Sequence, residues 1–559
     1  MLLRVRGSTR VRFIVSATGG RAQLNHRLIA VTPPDSFPTQ FTVSRPLPSD
    51  TYHPGGNLAP IRLRDRGECR MWAAPVADNP STSVAPLPQG TLIPVLTRIR
   101  PSFQIALPRV RLAAVGLCAA LLAGAALRTI WVEDMEYKGD EIWTFERTQH
   151  AGVDEPVPTL GMPTSYEVRH PGGTIWVFLA ITKVFGVTTP TDLGRACQIV
   201  NTLAILLLAG FAYRCVPDRE REPWLWAAAL ASVNPLAVVF HRKIWPPSIV
   251  PLFTTLALIG WWHRDRRAGA FFWGLCSVLV GQIHPGGLFL ALGFAGWTFL
   301  MDRRSVRWGY WIAGCAVATA TLIPWLLYAL EVTGQNPISQ RQWSNLVTAR
   351  FWINWVIEAN GISLAYSLGK DFWDYLSQPF VGGVPTYGLA AVHALMVATG
   401  VVILGRAAWR RWQLGWREMV IELTGRTSPT ALVIAAGMGG FGLAFTLTRL
   451  PIHRHYMNLT FPLMYLWLAY LAVGHRGGQT SIPSAPADGA GTSDLEPRTT
   501  RLTGDTWVAH GRALLVAMCL LQFAVSAGFL AYVHSNQRPI RGDYGTPYRA
   551  RASVGLSPR

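Results

Sequence analysis

Apolar residues in this chain gather into long runs broken by short polar, arginine-rich stretches, the spacing of helices that cross a bilayer. The runs predict spans near 112–132, 194–214, 223–241, 245–263, 269–283, 286–301, 309–330, 386–405, 430–449, 455–473 and 512–533. One further apolar stretch, GGTIWVFLAITKVFGVT at 172–188, reads as a helix lying in the membrane interface. Counting it as a span would put Arg214, Arg219 and Arg221 outside and break the alternation that follows. Left flat, it puts Arg109 and Arg111, the Arg214 group, Arg264/Arg266/Arg267, Arg303/Arg304/Arg307 and RAAWRRWQLGWRE on the cytoplasmic side. The expected class is an all-α polytopic protein of the plasma or inner membrane, with about eleven transmembrane helices, N-terminus inside and C-terminus outside. An acidic loop (133–193), the HRK at 241–243 and a Trp-rich loop (331–385) then share the external face.

Composition sharpens this picture at the two polar segments. Residues 1–108 are rich in Pro, Ser and Thr, carry Arg but no Lys, and show no apolar period, so they read as a disordered basic cytoplasmic arm. The arm has no apolar core of a signal peptide, and it is expected to be dispensable or an over-extended start of translation. Residues 476–511 read as a polar cytoplasmic linker before the last span and external tail, 512–559, leaving 109–475 as the membrane module. With 50% hydrophobic and only 15% charged residues, the chain departs from a soluble globule. The net charge of +20 sits mostly in the arm and in short loops, where orientation explains it; nucleic acid is not an expected partner. Seven scattered cysteines without a CxxC pair indicate neither zinc nor a disulfide framework. No Gly-rich phosphate loop, HExxH or GxSxG occurs.

The candidate chemistry lies on the external side. EDMEYKGDEIW, 133–143, sets five carboxylates behind the first span. Asp140 follows Gly139 at the start of a helix, where it reads either as an N-cap or as a base at the mouth of a cavity, beside Glu141. His170 begins the interfacial helix, as an anchor or a site residue. His241, Arg242 and Lys243 end a span, where they either pair with acids and lipid headgroups or hold a phosphate. His284 lies between two short helices, and His455-Tyr456 opens a later span within RLPIHRHYMNLTF, where Arg449, His453, Arg454 and His455 either anchor the helix or add to the cations around a phosphate.

The ordered set of the external DE loop, RHPGGTIWVFLAITKVFG, LGRACQIVNTLAILLLAGFAYR, VFHRKIWPPSIVPLFTTL, LVGQIHPGGLFLAL and HRHYMNLTFPLMYLWLA resembles the GT-C superfamily of integral-membrane glycosyltransferases. It is most similar to the protein O-mannosyltransferase and lipid A aminoarabinose transferase group, family 39 and its bacterial relatives, over roughly 110–475. The resemblance implies a GT-C fold with interfacial helices in the first external loop. It assigns the catalytic carboxylates to Asp140 and Glu141, and aligns His170-Pro171, the basic segment from His241, His284 and His455-Tyr456 with the family's segments. Gly172 and Gly173 stand where that pattern has Pro and Leu, and the Glu and Tyr of its basic segment are absent here.

The expected function is transfer of a sugar from a polyprenyl-phosphate donor to an acceptor hydroxyl on a glycan, lipid or protein, with inversion. Asp140 is the general base, Arg242, Lys243 and His284 bind the donor phosphate, and His170, His241, His455 and Tyr456 lie near substrate. No cofactor is required; a divalent cation beside the acids is compatible, though no spacing demands one. The alternatives are a transporter or flippase of lipid-linked sugars, or a GT-C-like scaffold without activity.

Overall fold

The computed structural model describes residues 107–164, 168–335, 342–474, 498–536 and 538–553, which lie in one compact unit, 98–559. The basic arm up to residue 106, most of the linker, and the side chains of Arg109 and Arg111 fall outside the described residues.

Helices form wherever the apolar runs stand. They are α1 (Leu107–Thr129), α2 (Gly139–His150), α3 (Gly173–Phe185), α4 (Pro190–Cys215), α5 (Asp218–Val233), α6 (Pro235–Phe240), α7 (Pro246–Trp262), α8 (Arg267–Ile283), α9 (Gly286–Asp302) and α10 (Trp308–Gln335). Further along come Gly388–Gln413, Pro429–Thr446, Leu463–Val473 and Arg498–Ser535. Among the described residues five helices are long and apolar enough to cross a membrane: α4, Trp308–Thr333, Gly388–Gln413, Pro429–Thr446 and Thr506–Ser535. A sixth is reached if Arg454–Thr460 and Leu463–Val473, bent by 75°, form one span.

Length and breaks explain why that number is below eleven. Helices α7, α8 and α9 have 17 residues each, about 25 Å at 1.5 Å per residue against a hydrocarbon layer of about 30 Å. The run 223–241 is cut at Asn234, whose Oδ1 accepts from the N–H groups of Leu236 (3.0 Å) and Ala237 (3.3 Å) with Pro235 at the first helical position. The stretch 172–188 gives α3, only 13 residues, with Ile175, Phe178 and Leu179 buried and Val184 and Phe185 exposed. The fold is not purely helical: β1 (Leu160–Pro163) pairs antiparallel with β2 (Arg169–Pro171) just before α3, and Phe380–Val381 pairs with Val384–Pro385.

Small residues let the helices approach. A Cβ on Gly274 of α8 would collide with Trp311 O, and one on Gly314 of α10 with Phe271 O, so the two backbones touch where a side chain would separate them. Similar constraints seat α3: a Cβ on Gly172 would lie 2.7 Å from Thr159 O, and one on Gly173 2.7 Å from Gln282 Cβ. The glycines that depart from the family pattern thus allow α3 to dock against β1's approach and α8.

Three stretches meet at one end of the bundle. The segment 538–549 bonds to 134–138, through Tyr137 N–H to Thr546 O and Tyr548 N–H to Met135 O, both 2.9 Å. It also bonds to 366–371, through Asp543 N–H to Tyr366 O at 3.1 Å and Arg541 N–H to Asp371 at 2.8 Å. The other ends of the helices carry arginine pairs: Arg264 with Asp302, Arg512 with Glu222 (2.6 Å), and Arg410 with Glu422 (3.1 Å).

Candidate active site

Helix α1 ends in a backbone turn that a buried arginine holds. Trp131 has φ 49°, the left-handed conformation common just past a helix end but disfavoured for a bulky residue. The Arg242 guanidinium donates to the carbonyls of Leu127 (2.9 Å), Arg128 (2.9 Å), Ile130 (2.7 Å) and Trp131 (2.8 Å). These are the carbonyls a helix C-terminus leaves without partners. Arg242 is therefore a helix cap in the structure, and its contacts are with this chain's own backbone rather than an open phosphate site. His241 lies on the same buried side, its Nδ1 accepting from Arg128 Nε at 3.1 Å. Arg128 itself donates to Ser232 O (2.6 Å) and Ala231 O (2.9 Å), the carbonyls beside the Asn234 break.

Beyond Trp131 the five acids separate by burial. Glu133 and Asp140 are exposed, whereas Asp134, Glu136 and Glu141 are buried. Glu136, 0% exposed, pairs with Lys243 and with Lys138 (2.6 Å). Lys243, 4% exposed, also stands over the Phe240 ring at 4.8 Å and the Trp245 ring at 5.4 Å. A carboxylate between two ammonium groups is the arrangement that keeps buried charge tolerable.

Helix α2 starts two residues earlier than expected. Lys138, not Asp140, is its N-cap, and Glu141 at the third helical position returns its carboxylate to the Lys138 N–H at 3.2 Å. Burial, with the Glu136 charge adding to it, pushes Glu141 up to about 8, while Lys243 pulls the other way. Asp140 is exposed in the first turn, with no hydrogen bond or ion pair among the described residues.

From Lys243 a wall of rings continues. Trp245 meets His455 (4.9 Å between centroids), His455 meets His284 (6.0 Å), and His284 meets His170 (5.5 Å). Tyr456 packs on both His284 (5.2 Å) and His455 (4.3 Å). Residues distant in sequence, His170, Lys243, His284, His455 and Tyr456, are thus brought together. His284 Nδ1 accepts from Gly286 N–H at 3.2 Å, which leaves the ring proton on Nε2. Burial lowers His170 to about 4, so it is neutral at physiological pH.

Arg454 approaches the same wall from the other side. Its guanidinium stands 5.5 Å over Phe240, the ring Lys243 also faces, and pairs with buried Glu358 at 3.4 Å. Its Nη2 is buried and has no hydrogen-bond partner among the described residues. Beside the wall lies a small apolar cleft, with about 30 Å³ of free space, between α7, α8, α9 and 454–463, lined among others by Leu258, Val280, Phe294 and Leu459. Gly286 joins the two, since a Cβ there would lie 2.8 Å from Leu459 Cδ1 and 3.1 Å from His284 Nδ1. Among the described residues no group of three or more His, Cys, Asp or Glu is placed to hold a metal ion.

The sequence offers Arg454 as a cation beside a phosphate, but does not single out Glu136 and Lys138. The one available signal is Lys138 itself, the only lysine in an acidic run, which marks a local counter-ion.

No family model matches the chain, and no curated protein matches it in sequence. Among solved structures, the oligosaccharyltransferase of Archaeoglobus fulgidus in the apo form is 14% identical, with a TM-score of 0.40, over 76% of this chain and 57% of that one. The archaeal oligosaccharyltransferase AglB from Archaeoglobus fulgidus, in complex with an inhibitory peptide and a dolichol-phosphate, is 13% identical, with a TM-score of 0.39, over 75% of this chain and 56% of that one. The chain spans little more than half the length of these structures.

Proposed function

We propose that the chain is a membrane glycosyltransferase of GT-C type that moves a sugar from a polyprenyl-phosphate donor to an acceptor hydroxyl at the external face. One observation carries this reading. An exposed carboxylate, Asp140, stands on the stretch whose buried acid fixes Lys243, and Lys243 faces Phe240 together with Arg454 beside an apolar cleft. A donor with a prenyl tail, an anionic phosphate and a sugar needs those three surroundings in that order.

In the proposed reaction the acceptor oxygen attacks the anomeric carbon while Asp140 takes its proton. The bond from that carbon to the phosphate oxygen breaks on the opposite face, which inverts the configuration. General-base help of this kind contributes about 100- to 10,000-fold in rate. The leaving lipid phosphate gains negative charge and is met by Lys243 and Arg454, with His284 Nε2–H as a neutral donor. Arg242 acts indirectly, by holding the turn from which the acidic stretch departs. Glu141, protonated up to about pH 8, keeps a second negative charge away from the phosphate. His170, His455 and Tyr456 offer rings to the sugar face.

The test is sugar transfer by the full chain in proteoliposomes, with mass spectrometry of the lipid-linked donor. Asp140→Asn is expected to reduce transfer by two to four powers of ten on the general-base estimate, with normal insertion and undiminished donor binding. Turnover near that of the wild type would end the role of Asp140. A chain that moved the intact donor across the bilayer without cleaving it would establish the transporter reading instead.

A further inference from the structure

The segment after the last long helix is bonded in detail to the stretch that carries the acids. Asp134 receives His534 Nδ1 at 2.7 Å and Arg549 at 3.0 Å, and its carbonyl accepts from the Tyr544 hydroxyl. Trp131, the left-handed residue at the exit of α1, stacks on His534 with centroids 4.1 Å apart and planes 9° from parallel. The N–H of Tyr137 is bonded to Thr546 O, as described above, and Tyr137 meets Tyr548 edge-on at 5.2 Å. Lys138 Nζ, besides pairing with Glu136, donates to Asp543 O at 2.5 Å.

The same segment is fastened at its other flank. Arg541 gives buried Asp371 both its N–H (2.8 Å) and its Nε (2.6 Å), and its carbonyl accepts from Lys370 N–H at 3.1 Å. Tyr544 N–H donates to Ser367 O at 3.0 Å. Between the two attachments the chain turns tightly, with Ile540 N–H bonded to Gly545 O at 2.8 Å.

We propose that residues 538–549 are a positioning strap: anchored on Asp371, they hold Asp134 and Lys138 and so fix Glu136 and, through it, Lys243. The proposal rests on the transferase reading but adds a part to it that lies about 400 residues away in sequence. The physical reason is that Glu136 has no backbone of regular structure to orient it. It sits between a short 3₁₀ turn, Val132–Asp134, and α2, and an isolated bridge to Pro547 supplies the ladder contact its own neighbours lack. An ammonium group about 1 Å out of place stabilises a departing phosphate much less, and such displacement costs on the order of a hundredfold in rate.

The test uses the full chain with Arg541→Ala and Tyr544→Phe combined, which loosen the strap at both flanks without touching an acid or lysine of the site. Two quantities are read: hydrogen exchange of the amides of 133–141, and the split between kcat and donor KM. The expected result is faster exchange at Tyr137 and a kcat lowered roughly ten- to a hundredfold, with donor KM within about twofold. Arg541→Lys in place of the alanine should recover part of the kcat. Unchanged exchange, or faster exchange with unchanged kcat, would overturn the strap. If the wild type bound decaprenyl phosphate in nanodiscs but transferred no sugar, the transferase reading would fall. The strap would then stand or fall on the exchange of the 133–141 amides alone.

Discussion

Arg242→Ala separates two roles that predict opposite things. As a phosphate ligand, Arg242 would be dispensable for folding, and its loss would raise donor KM. As the cap of α1, it is needed before any donor arrives. The structure gives it four carbonyl partners, at Leu127, Arg128, Ile130 and Trp131, all within 2.7–2.9 Å. A hydrogen bond from a charged donor contributes about 1.5–3 kcal/mol net, and a buried carbonyl left without a partner costs about 1–3 kcal/mol. The four are not additive, and removing the cation also removes its own desolvation penalty, so a total of about 3 kcal/mol is expected. That is a shift of about two powers of ten in the unfolding equilibrium. The assay is reversible unfolding in mixed micelles, followed by tryptophan fluorescence, alongside donor kinetics on the folded fraction. Arg242→Lys should recover little, because a single ammonium lacks the fork that reaches four carbonyls. A stability within about 0.5 kcal/mol of the wild type, with the whole defect in donor KM, would refute the cap.

The remaining predictions concern protons and glycine. Glu141 is held at about 8 in the folded chain against an ordinary 4.5, so the folded state keeps a proton that the unfolded state has lost. Its contribution is full below about pH 4.5 and is lost as pH rises through about 8. His170, lowered from 6.5 to about 4, acts in the opposite sense and raises stability as pH climbs from 4 to 6.5. Between pH 6.5 and 8 only the Glu141 slope of this pair remains, a loss of up to about 1.4 kcal/mol per pH unit. Unfolding measured across that window should show it, and Glu141→Gln should flatten it; an unchanged slope in the variant would reject the assignment. Gly173→Ala is expected to cost about 1–3 kcal/mol by forcing α3 away from Gln282. Thermal stability equal to the wild type would show that the two helices part without strain.

Much of the architecture was legible because bilayer helices announce themselves through apolar length, and each of the eleven runs is helical. The count of membrane-crossing helices was less so. Asn234-Pro235 reads as a harmless dipeptide in an apolar run, yet its side-chain cap divides the helix. Charge alternation kept 172–188 out of the expected spans, and α3 has 13 residues. The site was legible in part. His170, His284 and His455-Tyr456 could be picked out because ionisable groups are scarce in such surroundings. Which of five adjacent acids would be buried could not be, since that depends on Lys243 and on a tail hundreds of residues away. Arg242 misled for a related reason: a cation at a helix end looks alike in sequence whether it faces a ligand or a neighbouring helix terminus.

The stack of Trp131 on His534, and the bonds from 543–549 to the first loop, join the first helix described to the last. A ribosome delivers these partners about 400 residues apart, so the acidic stretch stays unsupported until residues 534–549 have been made. Loop closure over such a separation is also the slow part of assembly. Ordering of the acidic stretch is therefore tied to synthesis of residues 534–549, and a polypeptide stalled before them would leave Asp134 without His534 and Arg549.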